Sequence, residues 1–186
     1  MAQAGVFFVL YTFKICPTLF NPSVTKVYRV NAELYHKIKD MSKGLNLLAG
    51  LAGAVTLTVL HESLKRKAYD MPRVDLVGKE AVQAVLEPFG AEIRDKRELY
   101  NTTLISDLLS NAIYYSMIGA GSGKNVWPRA ISLGLAGGVG AVALPKPIGL
   151  DPKPVNKTNR TRAITVSYYL AGALVTGAII NAFQRQ

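Results

Sequence analysis

Cysteine is nearly missing from this 186-residue chain: Cys16 is the only one. A disulfide scaffold and a thiolate metal cluster are both excluded. Histidine is scarce too, with His36 and His61 alone, far apart in sequence. No His-rich metal centre is expected, and although Glu62 follows His61, a lone His-Glu dipeptide is not a catalytic site. Charge is sparse and one-sided. Only 18% of residues are charged, with 22 Lys and Arg against 12 Asp and Glu, a net charge of +10. Hydrophobic residues make up 49%, which excludes a disordered chain held open by charge. Basic charge alone raises a nucleic-acid partner, but no recognition motif accompanies it. No nucleic-acid partner, cofactor or metal is expected, and no enzyme.

What the chain does have is long uncharged apolar stretches. Residues 44–61 (GLNLLAGLAGAVTLTVLH), 130–145 (AISLGLAGGVGAVALP) and 163–184 (AITVSYYLAGALVTGAIINAFQ) carry no Asp, Glu, Lys or Arg. Residues 99–123 carry one, Asp107. A helix needs about 20 apolar residues to cross a bilayer. By that measure 163–184 fits well and 44–61 is at the short limit. Residues 99–123 fit if Asp107 is tolerated, and 130–145 are marginal. Buried helices of a soluble bundle are the alternative, but they keep a polar stripe toward water. Residues 44–61 offer only Asn46, Thr56 and Thr58, and residues 130–145 only Ser132. Glycine is costly inside a helix in water, whereas in a membrane small residues let helices approach closely. The expectation is an all-α polytopic membrane bundle of three or four transmembrane helices, an integral membrane protein.

Residues 1–43 read as an N-terminal arm and a short polar helix, with the bundle over 44–183. Ala4 to Phe13 is too short an apolar stretch to span, and nothing basic precedes Val6, so a cleaved signal fits poorly. Residues 31–41 look helical, with Asn31 as N-cap. Within the long loop, 62–98, Val82, Val85, Leu86 and Phe89 fall at i, i+3, i+4 and i+7. That spacing predicts a short amphipathic helix ended by Pro88 and Gly90. Residues 145–162 hold four prolines and read as an extended basic link. With four spans, loops 62–98 and 146–162 share one face and carry eight and five Lys or Arg against nine elsewhere. The positive-inside rule then weakly favours both loops in the cytoplasm. Anionic headgroups are the expected partners of these loops.

Candidate functional positions are few. Thr103, Asp107, Ser110, Asn111 and Tyr114 fall on one side of a helix, a polar intramembrane stripe centred on an ionisable group of a kind that usually faces the bundle interior or a wet cavity. Arg129, Tyr168 and Asn181 are possible partners of Asp107 by residue type. Gly134 and Gly138, Gly119 and Gly123, and Ala173 and Gly177 are small residues four apart, suited to helix packing, either within the chain or with a homo-oligomer or membrane-complex partner. GAGSGKN, residues 119–125, resembles a phosphate loop only in part. Ile118 stands where the first Gly belongs and Asn125 replaces Ser or Thr, so nucleotide binding is not expected. The sequence therefore suggests a structural or complex subunit of a membrane, with a small transporter or channel built on the Asp107 stripe as the alternative.

Overall fold

The computed structural model describes residues 22–120 and 125–184, and side chains from Ser42 onward. The expected N-terminal arm and Gly123 lie outside the described residues. The chain divides between Ser42 and Lys43 into two compact units. The described residues form helices α1 (Pro22–Leu64), α2 (Val74–Leu86), α3 (Lys96–Ser116), α4 (Val126–Ala143), α5 (Lys153–Asn156) and α6 (Asn159–Gln184), with no strand among them. The fold is an all-α helix bundle. The polar helix expected at 31–41 is not a separate element but lies inside α1, which starts at Pro22. Proline is well placed in a first turn, where its missing N–H leaves no bond unmade.

Within the second unit, four helices lie side by side, alternating in direction. Glu62 near the end of α1 meets Tyr100 near the start of α3, while Gly50 lies against Ala112 and Ser116. Tyr114 donates to the Leu133 carbonyl, 2.8 Å, and Arg129 to that of Ile118, 2.9 Å, so α3 and α4 are also antiparallel. α4 runs against α6 with Gly134 beside Leu170 and Ala173, and Gly138 beside Val166. The core is small: Ala49, Ala54, Ala112, Ala130 and Ala173 are buried together with Leu57, Tyr115, Ile118, Val126, Tyr168 and Ile180.

Three helical segments are long and apolar enough to cross a membrane: Ser42–Leu64, Val126–Ala143 and Asn159–Gln184. α3 is not one of them, so the relative fitness expected for the two middle runs is reversed. Residues 130–145 gain length because the helix starts at Val126 and takes in Trp127. In α3, Ser106, Asp107, Ser110 and Asn111 lower the hydropathy, although the helix runs beside α1 from the level of Glu62 to that of Gly50.

The two loops meet at one end of the bundle. The Arg73 N–H donates to the Pro154 carbonyl, 3.0 Å, and the Asp151 N–H donates to the Glu80 carboxylate. α2 begins earlier than its apolar spacing predicted, at Val74, and lies on α3 through Gly78 and Thr103. Its expected apolar face is not the packed one: Val82 and Leu86 are half-buried, but Val85 and Phe89 are exposed. A 3-10 turn, Glu87–Phe89, carries the chain out, and Gly90 adopts a left-handed φ of 66° that suits glycine.

Candidate functional site

The polar stripe on α3 is split by the fold. Thr103 is buried and donates to the Leu99 carbonyl. Ser110 is exposed and donates, like half-buried Asn111, to the Asp107 carbonyl. Tyr114 reaches α4. Hydroxyls that bond a carbonyl three or four residues back satisfy themselves within their own helix, and Thr56, Thr165, Ser167 and Thr176 do the same. Asp107 is half-buried beneath α2, next to Gly78. Of the partners suggested by residue type, Arg129 donates to the Ile118 carbonyl near the other end of α3, the Tyr168 hydroxyl makes no hydrogen bond among the described residues, and Asn181 is half-buried near the end of α6.

The small-residue positions pack within the chain. A Cβ on Gly138 would lie 2.6 Å from the Val166 Cα, one on Gly134 2.9 Å from the Ala173 Cβ, and one on Gly177 3.0 Å from the Ala130 Cβ. α4 and α6 are therefore in backbone contact along a seam. α1 approaches α6 as closely at Gly53 and Gly172. Gly119 sits against the Asn46 side chain.

The densest polar chemistry lies around His61 and Glu62, where the sequence alone gives no reason to expect a site. At the end of α1, Glu62 accepts from Lys65 Nζ at 2.6 Å and from the Tyr100 hydroxyl at 2.8 Å. The chain turns through residues 65–71 and brings Asp75 back to the same place. Its carboxylate accepts from Arg73 Nε and Nη2, both at 2.9 Å, with Lys65 Nζ 3.6 Å away. His61 stands between the two carboxylates, Nδ1 3.5 Å from Glu62 and Nε2 3.6 Å from Asp75. Its ring meets Tyr168 edge-on, centroids 6.4 Å apart. Lys65 and Lys79 lie 5.1 and 5.2 Å from the centre of the Tyr100 ring, a cation–π arrangement. Lys65 and Asp75 are each only 7% exposed. Buried charge is tolerated when it is paired, and here two cations face two anions around a histidine. Burial pushes the Asp75 carboxyl up, but the Arg73 bonds and the Lys65 and Arg73 charges outweigh it and hold the group below its ordinary range. A trace of this cluster was present in the sequence: His61, Glu62 and Lys65 occupy one face of the last helical turn, directly after an uncharged run. Arg73 and Asp75 could not be assigned to it without the turn over residues 65–71.

Chemically the cluster is a latch. It ties the loop and α2 to the end of α1 and α3. Among the described residues, no group of three His, Cys, Asp or Glu is placed to hold a metal ion. No known protein family matches the chain, and no curated protein or solved structure is significantly similar to it.

Proposed function

We propose that this chain is a small integral membrane protein with a structural, non-enzymatic role, a helix-packing subunit of a membrane or of a membrane complex. The observation that carries the reading is the backbone contact between neighbouring helices, α1 with α6 at Gly53 and Gly172, and α4 with α6 at Gly138 and Val166. Helices that touch through their backbones leave no lumen between them. The outward faces of the bundle are apolar at helical spacing: Ile105, Leu109 and Ile113 on α3, with Met117 just after it, and Trp127, Ile131, Leu135 and Val139 on α4, all more than 40% exposed. Such ridges suit hydrocarbon, or another membrane helix, better than water.

The alternative is a transporter or channel running past Asp107, and a flux assay separates the two. Reconstituted in proteoliposomes, the full chain should pass ions and small solutes no faster than protein-free vesicles. Flux that the wild type supports and Asp107→Asn abolishes, with the fold retained, would overturn the structural role.

A further inference from the structure

Two loops that are about ninety residues apart in sequence are joined at the boundary of the proposed spans. Lys157 Nζ donates to the Tyr69 carbonyl, 3.2 Å, and lies 4.8 Å from the centre of the Tyr69 ring. Arg160 pairs with Asp70 at 2.8 Å, and the Thr161 hydroxyl donates to the Asp70 carbonyl at 2.8 Å. This seam immediately follows Leu64, the last residue of one apolar segment, and includes Asn159, the first of another. It exposes Arg66, Lys67, Lys153, Lys157, Arg160 and Arg162. Asp70 is the only carboxylate within residues 65–71 and 153–162, and Arg160 already neutralises it. Tyr69 is 85% exposed although a lysine covers its ring, and Leu144 and Ile148, in the turn after α4, are 56% and 65% exposed. Basic groups level with the end of a span, with an open tyrosine among them, are complementary to the phosphate of a lipid headgroup.

We infer that the seam between residues 65–71 and 153–162 is a binding site for the headgroup of an anionic phospholipid. The inference rests on the membrane reading above. Arg66 and Lys67 would supply mobile charge to the phosphate, Lys157 fixed charge, and Tyr69 the contact at the level of the glycerol.

The test uses the full chain in vesicles of phosphatidylcholine mixed with phosphatidylglycerol, taken into mild detergent and examined by native mass spectrometry. Phosphatidylglycerol should be retained in preference to phosphatidylcholine, and added salt should weaken the preference. Arg66 and Lys67 are exposed and their side chains make no hydrogen bond or ion pair among the described residues, so Arg66→Gln with Lys67→Gln should fold normally. It should lower retention by about fivefold per residue, while Lys96→Gln with Arg97→Gln, outside the seam, should not. Equal retention of both lipids, an unchanged Arg66/Lys67 variant, an equal loss in the Lys96/Arg97 control, or displacement of the lipid by inorganic phosphate alone would each overturn the site. Release of the chain from membranes by alkaline carbonate would instead overturn the membrane reading beneath it.

Discussion

The seam between α4 and α6 and the latch at the end of α1 hold the same bundle by opposite means. Along the seam, Gly134, Gly138, Ala173 and Gly177 carry almost no side chain, and the helices meet backbone to backbone. At the latch, Glu62, Lys65, Arg73 and Asp75 are long or charged, and the elements meet through ion pairs. The first interface depends on van der Waals contact, which remains effective where the surroundings are as apolar as the helices themselves. The second depends on every charge having its partner. The contrast teaches that damage at the two places should differ in kind: the seam fails when atoms are added, the latch when one partner is taken away.

The largest effect is expected at the latch. Asp75→Ala leaves Arg73 without the carboxylate that takes both its bonds and leaves buried Lys65 with Glu62 alone, and it should cost about 3–5 kcal/mol of stability, read as a lowered unfolding midpoint in detergent micelles. The double change Arg73→Met with Asp75→Leu should cost less than Asp75→Ala alone, because both members of the bidentate pair are replaced by apolar groups while Lys65 keeps Glu62. A double variant at least as unstable as the single would mean that the ion pairs are not what makes Asp75 matter.

At the seam, Gly138→Leu has no room before the Val166 backbone. It should cost about 1–3 kcal/mol and splay α4 from α6, which a falling yield of disulfide cross-links between cysteines placed on the two helices would report. An unchanged cross-link yield would show that the seam is looser than the close approach at Val166 implies.

Acid should distinguish the two interfaces by a smaller margin. The Asp75 carboxyl titrates below its ordinary range when folded, so the folded chain binds this proton less readily than the unfolded one. Its contribution to stability is present above the ordinary carboxylate range and is lost as pH falls through the lower folded value. Accessibility of the 62–98 loop to protease should therefore stay constant from neutral pH down to that range and rise only in stronger acid. Asp75→Asn should lack the rise. An identical rise in both would place the acid sensitivity elsewhere.

The smallest effect is expected at Asp107. Its carboxylate is half-buried below α2, and neither Arg129 nor Tyr168 joins it. Asp107→Asn should leave flux at the level of protein-free vesicles and change the unfolding midpoint by less than either Asp75→Ala or Gly138→Leu. A larger shift than these would make Asp107 a structural anchor in its own right.

What the sequence disclosed follows the same division. Uncharged runs at 44–61 and 163–184 are visible because hydropathy is a local property, and the glycine spacing of α4 is visible because a helix puts residues four apart on one face. α3 was harder to read. Its polar groups share one side of the helix by spacing, yet only the fold shows that Thr103 faces the interior while Ser110 faces out. The latch and the loop seam were invisible for a different reason. His61 and Asp75 meet only because residues 65–71 turn the chain, and Asp70 meets Arg160 only because α1 ends where α6 begins. Ion pairs between distant segments leave no periodic trace.

Hydrocarbon is the proposed solvent around the apolar segments of α1, α4 and α6. Alkaline carbonate washing of membranes that contain the full chain tests this most directly. The chain should remain wholly with the sedimented bilayer and require detergent for release. A chain recovered in the aqueous wash, monodisperse and helical without detergent, would contradict it.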